Sequence, residues 1–201
     1  MATRLPAAER RAGLVDAALT VFSAEGFQAT TMDAVAAEAG VTKPVLYQHF
    51  PSKRDLFRGL LHDVSGRLRD DVTEAVSNAT GPHDMVRRGM RAMFSFVAAH
   101  PDEYRLMFGE GVRSDEEFAV EVRLFERSMA DAIADLIDID GLERAGRLVL
   151  AHGIVGLAES TARHWVLGGS GLDLDEVVEH VAELAWHGLR APQRVADEPR
   201  V

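Results

Sequence analysis

Thr30 to Lys53 reads TTMDAVAAEAGVTKPVLYQHFPSK, two short helical stretches on either side of a glycine. Thr31 is placed to cap the first stretch, its side-chain oxygen taking one of the orphan amides at a helix start, and an Ala/Val-rich run follows it as far as Gly40. Gly40 can take a positive φ without a Cβ clash, which ends the first helix and turns the chain. Thr42 then opens a second helix whose apolar side is Val45, Leu46 and Phe50. Pro44 fits the first turn of that helix, where its missing N–H leaves no intrahelical bond unmade. The pattern predicts a helix-turn-helix.

The outward residues suit a nucleic acid. Lys43 and Lys53 can pair with phosphates, Thr42, Tyr47 and His49 can donate hydrogen bonds to them, and Gln48 can read a base edge. Val45 can meet a thymine methyl if it does not turn inward. Ala36, Gly40 and Leu46 add a spacing in which a small residue lets two helices approach and a later apolar residue plugs their junction. Lys43 and Lys53 are the only lysines in the chain, and both fall in or beside this unit. The expected DNA-contacting set is therefore Thr31, Thr42, Lys43, Pro44, Val45, Tyr47, Gln48, His49 and Lys53.

Phe27 to Phe57, FQATTMDAVAAEAGVTKPVLYQHFPSKRDLF, resembles the TetR family of bacterial transcriptional regulators, most of all in GVTK-x-x-LY-x-HF-x-SK. The likeness covers about residues 7 to 60; beyond it, HPDEYRLMFGE (His100 to Glu110) and the late Trp165 share the family's helical habit. One departure stands out. Many members carry Gly or Ala after the lysine where this chain has Pro44, so any DNA contact that relatives make through that amide is lost here.

Outward from the motif the chain reads as helix after helix, with no convincing stretch of strand period. Ser52 with Asp55 starts a long helix to about Ala79, broken at Gly81-Pro82. Further helices are expected from about His83 to Ala99, Pro101 to Phe108, and Ser114 to Ile137. Asp140 with Glu143 is read as the cap of one reaching Leu167, and Asp173 with Glu176 as the cap of the last, ending near Arg190. The fold class is all-α: a three-helix DNA-binding domain over residues 1–51, a helical-bundle domain for ligand binding and dimerisation over 52–191, and a flexible tail over 192–201.

Composition is that of an ordinary globular chain, with 201 residues, 47% hydrophobic and 27% charged. With no cysteine there is neither a disulfide framework nor a thiolate metal site. Met1 to Arg11 lacks an apolar signal core, and the longest apolar run, Leu148 to Ala158, is too short to span a bilayer, so a cytoplasmic protein without membrane association is expected. The net charge of −10 divides unevenly: residues 1–58 carry +1 and the remainder −11. An acidic body then holds a near-neutral head to the duplex, which limits non-specific binding and leaves recognition to local donors.

The resemblance implies a homodimer formed through a four-helix bundle of the last two long helices. Gly153, Gly156 and Ser160 on the earlier one would let another helix come close, and Val177, Val181, Leu184 and Gly188 belong to a wide apolar arc on the last. Intramolecular packing is the competing reading of that arc. The family also implies an effector enclosed by the middle helices. Met90, Phe94, Val97, Tyr104, Met107, Phe108, Phe118, Val122 and Phe125 are the apolar candidates, most of which serve any helical core equally well. His152, Glu159 and Arg163 are the polar candidates, the last two also forming an i,i+4 pair.

Catalytic readings find little support. No glycine-rich phosphate loop, HExxH or serine elbow is present, no cofactor is implied, and the stripe Glu176, His180, Glu183, His187 reads as a solvated face rather than a metal site. The expected function is a ligand-responsive regulator, a repressor released from a palindromic operator by a small hydrophobic or amphipathic molecule. A helical ligand-binding protein whose helix-turn-helix contacts protein, and a helical-bundle enzyme, are the alternatives.

Overall fold

The computed structural model describes residues 7–190; the expected tail, 192–201, lies outside them. Ten helices make up the described chain: α1 (Ala7–Ala29), α2 (Met32–Glu38), α3 (Lys43–His49), α4 (Lys53–Ser77), α5 (Pro82–Ala99), α6 (Pro101–Phe108), α7 (Glu110–Ser114), α8 (Glu116–Leu136), α9 (Arg144–Gly168) and α10 (Leu174–Arg190). The all-α class follows.

Most boundaries obey the local chemistry that predicted them. Ser52 accepts from the Asp55 amide at 3.1 Å and its hydroxyl donates to the Asp55 carboxylate at 2.7 Å, which starts α4. Asp173 and Glu176 form a reciprocal box at 2.9 and 3.0 Å that starts α10. Two expectations fail. Glu143, not Asp140, stands at the N-cap of α9, and its side chain makes no capping bond. The helix expected from Ser114 is preceded by the short α7 and separated from it at Asp115, whose extended backbone (φ −94°, ψ 117°) lets its carboxylate accept from the amides of Glu117 and Phe118.

The helices group into two units. One unit comprises the described residues up to Gly66 together with Asp102–Val122; the other comprises Arg67–Pro101 together with the described residues from Arg123. The reason for the first grouping is an aromatic core. Phe118 of α8 lies 4.6 Å from Phe57 of α4 and 4.8 Å from Phe27 of α1, ring centre to ring centre, and Phe22 meets Phe57 edge-on at 4.9 Å. Such pairs add about 0.5–1.5 kcal/mol each beyond the burial of the rings. Leu14, Leu46, Leu56, Leu60 and Tyr104 are buried in the same unit.

In the second unit α5 packs against α9 and α10. Met90, Phe94 and Val97 are its buried side, and Val177, Val178, Val181, Ala182 and Ala185 are that of α10. Ala130 and Ala134 of α8 let Ala151 of α9 come close, with Ile133, Leu148, Ile154 and Leu189 packed around them. At the head of α5 the Asp84 carboxylate takes hydrogen bonds from the Arg88 guanidinium at 2.7 Å and the Thr80 amide at 3.0 Å, which hold it well below the usual carboxylate range.

Candidate nucleic-acid interface

Thr31 caps α2 as its sequence suggested, its hydroxyl oxygen accepting from the Ala34 amide at 3.1 Å. At the other end Gly40 sits at φ 63°, the Gly40 amide donates to Ala37 O at 3.1 Å, and the Val41 amide donates to Ala36 O at 2.9 Å. That pair of bonds is the Schellman closure, and the left-handed residue it needs is why glycine stands there. Thr42 then adopts an extended φ of −82° and offers its carbonyl to the amides of Val45 and Leu46, although its side chain makes no cap bond. Met32, Val35 and Ala36 of α2 are buried, as are Leu46 of α3 and Phe50 just beyond it.

With that face inward, the opposite side of α3 points to solvent. Thr42, Lys43, Pro44, Tyr47 and Gln48 are exposed, Val45 and His49 are half-buried, and Thr31 is exposed at the start of α2. Tyr47, 41% exposed, is among the few large hydrophobic side chains in the described chain left outside. The Lys43 ammonium donates to the Asp33 carboxylate at 2.9 Å, which raises its proton affinity and keeps it charged. Both partners are about half exposed or more, so solvent screens the pair and a phosphate can exchange with Asp33 at little cost.

Lys53 is held by the backbone that precedes α2. Its ammonium donates to the backbone carbonyls of Phe27 at 2.7 Å, Thr30 at 2.8 Å and Gln28 at 3.0 Å, and it lies 4.7 Å from the centre of the Phe27 ring. An ammonium has three donors, and all three are engaged.

Arg54 and Arg58 were counted among the positive charges of the head, and the structure pairs both with carboxylates. Arg54 forms a two-pronged bond with Asp115 at 2.9 and 3.2 Å and reaches Glu117 at 2.8 Å. Arg58 bonds Glu117, Asp55 and Glu121. The Arg54 guanidinium holds the Asp115 carboxyl below its usual range, helped by the amides of Phe118 and Glu117. All of these partners but Asp55 lie about sixty residues away, so nothing local marked them; the acidic run Asp115-Glu116-Glu117 was the one hint.

The ligand and dimer candidates separate on inspection. Tyr104, Met107, Phe108, Phe118 and Val122 are buried in the first unit, where Phe118 belongs to the aromatic core. Met90, Phe94 and Val97 are buried in the second, and Phe125 is half-buried there. Within that unit Phe94 packs edge-on against Trp165 at 5.8 Å, a neighbour the sequence reading had not assigned to a site. Glu159 pairs with Arg163 at 3.3 Å, six and two positions before Trp165 on the same helix. His152 is exposed beside Gly153, Gly156 and Ser160, so it shares the outer face of α9 and not an enclosed wall.

On α10, Val177 and Val181 of the expected dimer face are buried by packing within the unit, whereas Leu184 and Gly188 are exposed. Glu183 bonds His83 at 2.7 Å, and among the described residues no group of three or more His, Asp or Glu is arranged to hold a metal ion. No helix among them is long and apolar enough to cross a membrane.

Comparison with known proteins agrees with this geometry. The profile for bacterial regulatory proteins of the tetR family matches residues 14–60, and that for the tetracyclin repressor-like C-terminal domain matches 82–188. The HTH-type transcriptional activator FasR of Mycolicibacterium smegmatis is 36% identical over 187 residues, covering 92% of this chain and 85% of FasR. A TetR-like transcriptional regulator from Rhodococcus sp. RHA1 superposes with a TM-score of 0.73 at 29% identity, over 93% of this chain and 99% of that one. The transcriptional regulator FadR of Bacillus subtilis, solved in complex with stearoyl-CoA, has the same fold with a TM-score of 0.75 at 19% identity, over 87% of this chain and 96% of that one. A helix-turn-helix with its outer face open, followed by helices that match the family's second profile, makes this chain a member of the TetR family of DNA-binding transcriptional regulators, not an enzyme.

Proposed function

We propose that the protein is a homodimeric, ligand-responsive repressor that leaves a palindromic operator when a small hydrophobic or amphipathic molecule binds its second unit. The observation that carries the reading is the pairing of an anchored α3, its inner side buried at Leu46 and Phe50, with an outer side of Thr42, Lys43, Tyr47 and Gln48 open to a duplex. A reading helix of this kind enters the major groove, and a dimer reaches two half-sites about 34–36 Å apart. A gel shift on duplexes from the gene's own upstream region tests it: a complex that needs both halves of a palindrome supports the reading, and no sequence-dependent complex overturns it.

Gln48 is the proposed base reader. Gln48→Ala should shift preference at one position in each half-site by about 1–3 kcal/mol, measured as affinity across a panel of single-base operator variants. An even loss across the panel would place Gln48 on the phosphates.

For the effector, the second unit offers apolar side chains at Met90, Phe94 and Trp165 and carries the Glu159–Arg163 pair on the helix of Trp165. An amphipathic molecule suits that mixture. Stearoyl-CoA, the molecule in the FadR complex, is the first probe. Glu159→Gln should leave operator affinity within about threefold while raising the effector concentration needed for release about tenfold, roughly 1.4 kcal/mol. Unchanged induction with a lower melting temperature would make Glu159 only the structural partner of Arg163. An activator is the second reading, favoured by the name of FasR; transcription in vitro with and without the protein decides the sign.

A further inference from the structure

We propose that Asp33 is a counter-charge to Lys43 that keeps the DNA affinity of the head lower, and less dependent on salt, than its cations alone would make it. The inference rests on the reading of α3 as the helix that faces the duplex. Asp33 stands in the first turn of α2 and Lys43 is the first residue of α3, so the two lie on either side of the Gly40 turn. The Lys43 ammonium meets the Asp33 carboxylate at 2.9 Å, and both side chains stay open to solvent. A carboxylate in the first turn of a helix is favoured by the helix dipole, which is the ordinary reason for an aspartate there. That reason does not require it to hold a lysine ten residues further on.

Positive charge is scarce around α3, which is why one carboxylate matters. Lys43 and Lys53 are the only lysines of the chain, and Arg54 and Arg58 are tied to Asp115, Glu117 and Glu121. Lys43 shares the exposed side of α3 with Tyr47 and Gln48. When an ammonium meets a phosphate, a condensed cation leaves the duplex, and that release is what makes binding fall with salt. Here the same step strips Asp33 of its partner, and the bare carboxylate attracts a cation from solution. Release and uptake oppose each other, so the Lys43 contact adds little net ion release while Asp33 is present. Without that carboxylate the release is uncompensated, and the phosphate contact forms without breaking an ion pair. Phosphates carry no sequence information, so Asp33 lowers affinity for every duplex alike and keeps indiscriminate binding weak.

The test uses the full-length protein and a random-sequence duplex of about 30 base pairs, with affinity measured over a range of salt. Asp33→Asn keeps the volume of the side chain and removes its charge; if it does not fold, Asp33→Ser is measured in its place. The substitution should tighten binding by about threefold or more near about 0.1 M salt and steepen the slope of log affinity against log salt by roughly 0.5–1 for each head bound. In a Lys43→Gln background the same substitution should leave affinity and slope where Lys43→Gln alone puts them. An equal gain in that background would mean that Asp33 repels phosphates on its own account, and no gain in the parent would leave it a helix-start charge only. Either result overturns the proposal. The underlying reading fails in a different way: if Lys43→Gln by itself alters neither affinity nor slope, α3 does not present Lys43 to the duplex, and the proposal falls with that reading.

Discussion

Replacing Phe50 with alanine should destabilise the DNA-binding head by about 3–5 kcal/mol, the range for emptying a buried aromatic site, and should weaken operator binding by a factor of about one hundred or more. Phe50 is 3% exposed. It follows α3 directly, its amide closing the helix on Leu46 O at 3.0 Å, and its ring fits where Gly59 of α4 has no side chain: a Cβ there would stand 2.8 Å from the ring edge. Removing the ring leaves α3 fixed through Leu46 and its N-terminal turn, while its far end loses the contact that sets its angle. Urea unfolding of the full chain reads the stability, and fluorescence anisotropy with a labelled operator reads the affinity. Affinity within about threefold of the parent would mean that Phe50 does not hold the reading helix.

Gly156→Arg should turn a dimer into a monomer without harming the protomer. An added Cβ at Gly156 meets nothing within 4 Å, and the same holds at Gly153 and Gly188, so the protomer has room for a side chain at each. Glycine inside a helix also costs about 1 kcal/mol relative to alanine, so within one chain the substitution is neutral or favourable. Beside it Val149 is 71% exposed and on α10 Leu184 is 61% exposed, an apolar surface left open at three small positions. If a second copy covers that face, a guanidinium in the seam blocks the approach, and each head then binds alone. Losing the linked half-site removes an advantage of about 10² to 10⁴ in affinity. Analytical ultracentrifugation and operator binding are the two readouts, with the helical circular dichroism unchanged. A variant that remains dimeric would place the interface elsewhere.

Both substitutions act at places where a side chain is absent or fully enclosed, and the two differ in how visible they were beforehand. Gly156 stood out by its spacing from Gly153 and Ser160. The contact between Gly59 and Phe50 could not be read, because neither the turn after α3 nor the path of α4 follows from periodicity.

Features governed by bonds that close within a few residues were legible in the sequence. The Thr31 cap, the Gly40 closure, the Ser52 start of α4 and the Asp173–Glu176 box each depend on partners no more than five positions apart, and each stands where its residues placed it. The amphipathic pattern of α3 likewise separated Leu46 from Tyr47 and Gln48. What the tertiary structure alone decided is how charges and apolar arcs are spent. Lys53 reaches carbonyls 23 to 26 residues back, Arg54 reaches carboxylates 61 and 63 residues ahead, and His83 meets Glu183 across 100 residues. The α10 arc is likewise divided, with Val177 and Val181 turned to the core and Leu184 left outside. A sequence states which groups are cationic or apolar; whether a cation meets a phosphate or a carbonyl, and whether an apolar face meets its own chain or another, depends on which helices the fold brings beside it.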